Sequence, residues 1–252
     1  MNGKTILLII FLLILFYILI SYLVKSKQLS TLTNGETMVK IDPSSLDGSD
    51  TTSPSNFTYS VWFYINDWNY RYGEPKVIFG RMGNISKPTQ GSVDGINGLD
   101  PCPSVVLGAI ENNIMVSLAC FPGSSSETST SSTTVVHNCN ISNVPIQKWV
   151  NLLISVYGRT LDIYIDGKLV KTCLLPGVAN VNQNAPIYLT PQGGFSGWTS
   201  NLQYFNHATN PQEAWNIYAK GYGSSWFGNI FGQYKLKVSI IKNDTETTSV
   251  QV

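Results

Sequence analysis

Charge is scarce in this chain. Only 12% of its 252 residues are charged, against about 25% in an ordinary soluble domain. The charges also nearly cancel, 16 basic against 15 acidic. A nucleic-acid binder needs a basic surplus to neutralise phosphates, so that class is excluded. Catalytic groups are scarce as well. The six Glu, at positions 36, 74, 111, 127, 213 and 246, all lie more than four residues apart. The two His, His137 and His207, fit no metal-binding spacing. The four Cys form no Cys-x-x-Cys, and neither a Gly-x-Ser-x-Gly elbow nor a phosphate loop occurs. The chain reads as a non-enzyme. Disorder is excluded by the opposite finding, since 43% hydrophobic and 12% aromatic residues are enough to build a core.

What replaces charge is uncharged polarity. The chain holds 27 Ser, 20 Thr and 22 Asn, over a quarter of all residues. Such a surface is well hydrated and electrically quiet. Its four Asn-x-Ser/Thr sequons, at Asn56, Asn84, Asn140 and Asn243, match the number chance gives at this composition and carry no weight as glycosylation signals. The segment 123–134 is almost entirely Ser and Thr and reads as a low-complexity loop, with an O-glycosylated patch as the alternative.

One long apolar run stands apart. Residues 6–24 carry no charge, Gly or Pro, and as a helix rising about 1.5 Å per residue they reach roughly the hydrocarbon thickness of a bilayer. A cleaved signal peptide has a shorter apolar region and a small-x-small site. Here Lys25-Ser26-Lys27 follows directly, so a signal-anchor in the lipid bilayer is the reading. Lys4 and the amino terminus balance Lys25 and Lys27 across the span, which leaves its orientation open.

After the anchor, residues 25–56 read as a polar stalk with a possible first strand at 36–41. Phe57, Tyr59, Val61, Phe63 and Ile65 then alternate with Thr58, Ser60, Trp62 and Tyr64, the period of a half-buried strand. Further strands are expected at 77–79, 104–110, 114–121, 149–157, 160–165, 168–174, 187–189 and 198–206. Asp166-Gly167 between two of them is a strong hairpin signal. Asn210, Pro211 and Glu213 mark a helix start, and Gly221 marks its end. Many short strands and one late helix indicate an antiparallel β-sandwich. Residues 223–252 form an extension, with an apolar cluster (Trp226, Phe227, Ile230, Phe231) before a basic strand at 234–242.

Two groups invite a closer reading. Trp68, Tyr70 and Tyr72 alternate around Arg71 in a polar loop. They suit sugar stacking, or they cover the sandwich edge as ordinary packing, which the continuing alternation favours. For the cysteines, a hairpin turning at Glu111-Asn112 brings Cys102 near Cys120, leaving Cys139 for Cys173. We therefore expect disulfides 102–120 and 139–173 if the domain faces an oxidising compartment.

The stretches 149–157 and 161–168, followed by Gly194-Phe-Ser-Gly-Trp198, Leu202-Gln-Tyr-Phe205 and 210–218, resemble the central hairpins, closing strand and short helix of laminin-G-like, concanavalin A-like domains. The resemblance covers roughly residues 57–222. It implies a jelly roll of two curved sheets, a fold that hosts lectins, glycosidases and structural modules alike. The Glu-x-Asp-x-x-Glu motif of the family's glucanases is missing. Laminin-G-like domains often hold calcium, and Asp94, Asn97 and Asp100 are the candidate ligands here. Their spacing departs from the EF-hand, and an Asx-stabilised turn is the simpler reading. Similar one-helix proteins occur in large icosahedral DNA viruses with an internal membrane. That likeness implies a minor capsid protein of the virion, set between membrane and shell against neighbouring structural proteins. The functional expectation is a membrane-anchored, non-catalytic interaction module, with a glycan-binding lectin or adhesin as the alternative.

Overall fold

The computed structural model describes residues 12, 14–16, 28–46, 56–82, 101–122 and 134–223, together with the backbone of 237–242 and 245–251. Two six-stranded antiparallel sheets form a β-sandwich. With strands numbered along the chain, the first sheet runs β1 (Thr33–Asn34), β12 (Ser196–Phe205), β3 (Phe57–Asp67), β8 (Trp149–Tyr157), β9 (Thr160–Ile165) and β10 (Lys168–Leu174). The second runs β2 (Val39–Ile41), β11 (Ile187–Leu189), β4 (Lys76–Arg81), β5 (Ser104–Leu107), β6 (Asn113–Cys120) and β7 (Val135–Ser142). Apart from both, β13 (Lys237–Lys242) pairs with β14 (Thr245–Gln251).

The core follows from alternation. Phe57, Tyr59, Val61, Phe63 and Ile65 of β3 point inward and are all but fully buried. Beside them lie Val150, Leu152, Ile154 and Val156 of β8. At about 25 cal/mol per Å² of apolar surface removed from water, such residues hold the two sheets together. The hairpin at Asp166-Gly167 forms with φ of 49° and 73°, the left-handed pair a two-residue turn requires. The segment read as a stalk supplies a strand to each sheet. β1 pairs with β12 and β2 with β11, so residues 33–41 belong to the sandwich. β7, which the pattern did not announce, closes the second sheet as a largely exposed edge strand.

The helix α1 (Pro211–Ala219) starts where its signals stand, with the Asn210 side-chain oxygen accepting from the Glu213 backbone N–H at 2.9 Å. Its Ala214 and Ile217 pack on Leu153 and Tyr164, on the outer face of the first sheet.

Of the two expected disulfides, Cys139–Cys173 is made, with Cα atoms 6.3 Å apart. The Cys102–Cys120 bond is not made, and both are buried thiols. The register explains the difference. Ser104 faces Ser117, and two residues further Cys102 falls opposite Ala119, one position short of Cys120. The Cys120 thiol donates to the Leu118 carbonyl at 3.7 Å, and burial raises its pKa.

Among the described residues, no helix is long and apolar enough to cross a membrane. The apolar run 6–24 lies outside those residues except for helical positions 12 and 14–16. Also outside them are Asp94, Asn97 and Asp100, the loop 123–133, and the sequons at Asn84 and Asn243.

Candidate functional site

The outward residues of β3 build the most distinctive surface. Trp62 and Tyr64 face away from the core because their neighbours face into it. Tyr64 lies in register with Trp149 of β8 and with Trp198 of β12, at ring separations of 5.8 and 5.7 Å. Tyr222, just beyond α1, stacks on Trp149 at 4.5 Å with 9° between the planes. It also meets Trp62 edge-on at 6.0 Å. Tyr218 of α1 stacks on Trp62 at 5.5 Å and touches Trp215 at 5.4 Å. An unbroken chain of ring contacts thus runs Trp198–Tyr64–Trp149–Tyr222–Trp62–Tyr218–Trp215. Trp198 and Tyr222 are each 41% exposed and Trp215 46%. Three of the seven rings are thus open to water, at the two ends of the chain of contacts and at Tyr222.

Local devices hold the rings in place. Gly197 has φ of 151°, and a Cβ there would overlap the Tyr64 carbonyl oxygen. Glycine is what lets Trp198 come up beside Tyr64. Ser200 Oγ donates to the Tyr222 carbonyl at 2.7 Å and Asn201 Nδ2 to that of Gly221 at 3.2 Å, which fixes the chain as it leaves the helix. Asp166 Oδ1 accepts from the Asn151 backbone N–H at 2.9 Å, while its Oδ2 pairs with Lys148 at 3.1 Å.

Beneath the rings, two buried polar atoms have no hydrogen-bond partner, Trp62 Nε1 and Asn151 Oδ1. Their residues are directly opposite in the β3–β8 ladder. The amide nitrogen of Asn151 is used, donating to Ser60 Oγ at 3.0 Å.

The loop trio is placed differently. Trp68 packs against the core, with the Lys76 ammonium 4.7 Å from its ring centre. Tyr70 donates its hydroxyl to the Gly193 carbonyl at 3.0 Å, and Arg71 Nη1 reaches the Gln192 carbonyl at 2.5 Å. Tyr72 is 58% exposed. Trp68 and Tyr70 thus tie the loop down, and among the described residues no ring contact unites the three into a platform. Nearby, a cavity of about 420 Å³ opens beside the β5–β6 turn, lined by Val106, Ile110, Met115, Glu111, Asn113 and Asn140 among others. Among the described residues no three His, Cys, Asp or Glu come together in a way that would hold a metal.

The sequence held one signal for the aromatic surface. Two large rings, Trp62 and Tyr64, stood on the side of β3 opposite an already complete apolar set. Their partners Trp149, Trp198 and Tyr222 come from distant segments that only strand register unites.

No protein-family model and no curated protein matches the chain. Among solved structures, it superposes on the binding domain of botulinum neurotoxin serotype D with a TM-score of 0.51 at 12% identity, over 77% of this chain and 41% of that one. A mutant of HCR/D gives 0.50 at 11% identity, over 75% and 41%. The chain therefore spans about two fifths of the length of each. At that identity the likeness is one of fold, a two-sheet β-sandwich.

Proposed function

We propose that this chain is a non-catalytic binding module, tethered to a membrane by residues 6–24, whose aromatic surface on the first sheet engages the partner. The finer family assignment, a laminin-G-like or concanavalin A-like jelly roll, belongs to the same reading. The observation that carries it is the ring chain from Trp198 to Trp215, open to water at both ends and at Tyr222.

A neutral glycan is the partner class that suits this surface. Sugar rings offer flat C–H faces to aromatic planes. The scarcity of charge favours a ligand that brings none, since burying an unpaired charge is costly. The sandwich fold, shared with a toxin's binding domain, suits a binding role. A virion setting between membrane and capsid is the same module with a protein neighbour in place of the glycan.

The test is an array of neutral glycans, with polyanionic glycans alongside, probed with the full chain in detergent micelles at low and high salt. Binding that survives from about 50 to about 500 mM salt, over which the screening length falls about threefold, supports the reading. Binding confined to polyanionic glycans and lost in salt, or no glycan bound at all, overturns the glycan partner.

A further inference from the structure

The ring of Tyr222 occupies a place on the aromatic surface that the sheet does not require it to fill. It lies flat on Trp149, 4.5 Å away and 9° from parallel, which is the pose of a stacked ligand ring. Unlike Tyr64, Trp149 and Trp198, it belongs to no strand. Besides its ring contacts, it is held by hydrogen bonds to backbone, through the carbonyls of Gly221 and Tyr222. Trp62, which Tyr222 meets edge-on at 6.0 Å, carries a buried, unpartnered Nε1, and Asn151, opposite Trp62 in the ladder, carries a buried, unpartnered Oδ1. Trp62 is 5% exposed and Asn151 fully buried.

These two atoms are complementary. An indole N–H only donates and an amide oxygen only accepts. Leaving either buried and unmade is costly. A single hydroxyl group does both jobs, accepting from Trp62 and donating to Asn151. A carboxylate, an ammonium or an alkyl group fails at one or both.

We propose that Tyr222 is a resident plug over a sugar subsite formed by the Trp149 ring, Trp62 Nε1 and Asn151 Oδ1. A ligand ring displaces Tyr222, stacks on Trp149 and sets one hydroxyl between the two unpartnered atoms. This rests on the aromatic surface being the binding face, and it adds that the chain's own tyrosine competes for part of it. Free ligand then meets a site that is partly self-occupied, so the measured affinity is weaker than the site's intrinsic one.

The experiment uses the full chain in micelles, with methyl β-glucopyranoside and methyl β-galactopyranoside as probes and the indole N–H signals followed by NMR. Tyr222→Ala is expected to bind at least one probe about fivefold or more tightly than wild type, with the Trp62 indole signal shifted. Equal or weaker binding by Tyr222→Ala makes Tyr222 a wall of the site and overturns the plug, while leaving the glycan reading standing. Binding by neither protein overturns the sugar subsite and counts against the glycan reading too. A second measurement needs no ligand and no variant. In wild type, a displaceable plug lets the Trp62 indole N–H exchange with solvent about 100-fold or more faster than the core amides of Leu152 and Ile154. Exchange of all three at one rate shows that Tyr222 leaves only when the domain unfolds, and overturns the plug.

Discussion

Cys139 and Cys173 join the last strand of one sheet to the last strand of the other. They clasp β7 to β10 across the open side of the sandwich, spanning 34 residues of chain. Lys171 reinforces the junction, its ammonium donating to the Asn140 carbonyl at 2.7 Å. Both strands are otherwise exposed edges, so the bond supplies cohesion that packing there does not.

Loop-closure entropy for a loop of that length is worth about 3–4 kcal/mol. The variant carrying Cys139→Ala and Cys173→Ala is expected to lose about that much in urea denaturation, and wild type in reductant should match it. Thiol titration of the unfolded, unreduced chain should find Cys102 and Cys120 alone. Reaction at all four cysteines, or a stability indifferent to reductant, contradicts the clasp.

Gly197 links backbone to surface. A Cβ there meets the Tyr64 carbonyl oxygen and the Phe195 ring. Its φ of 151° is also one that side-chain-bearing residues rarely adopt. Gly197→Ala should therefore cost about 2 kcal/mol or more and move the Trp198 indole signal away from Tyr64. A variant as stable as wild type, with an unchanged spectrum, would show that β12 has room to spare.

Lys76 is buried at 1% exposure with its ammonium lacking a hydrogen bond. Burial first, and then the Arg71 charge, lower its pKa, with Asp67 and Glu74 pulling weakly the other way. The charged form is therefore disfavoured in the fold. The resulting penalty is full below the folded pKa and vanishes as pH rises to the ordinary lysine value of 10.5. Lys76→Met should stabilise the domain at pH 7, by about 1 kcal/mol or more, even though the contact with Trp68 is lost. Thermal melts from pH 7 to pH 10.5 should show the gain shrinking. A gain that grows with pH, or a loss at pH 7, contradicts the assignment.

Local patterns were legible where one segment carries its own reason. Asp166-Gly167 announced a turn, Asn210 and Glu213 a capped helix, and the alternation from Phe57 to Ile65 a core strand. Val135–Ser142 went unannounced because an edge strand buries little. Within it only Cys139 and Ile141 turn fully inward. The strand β1, two residues long, shows no period at all, whereas β2 falls within the strand expected at 36–41. The cysteine pairing failed at 102–120 because hairpin register decides it and the turn's length sets register. The loop aromatics are neighbours in sequence, whereas Trp198, Tyr64 and Trp149 are neighbours only across strands.

The most direct measurement compares Trp198→Ala with Tyr72→Ala on the same neutral-glycan array. Both residues are exposed, at 41% and 58%, so neither substitution should unfold the domain. The expected result is that Trp198→Ala weakens binding about tenfold or more, as loss of a stacking ring does, while Tyr72→Ala binds like wild type. Loss on Tyr72→Ala with Trp198→Ala unaffected would contradict the central claim and move the binding face to the loop.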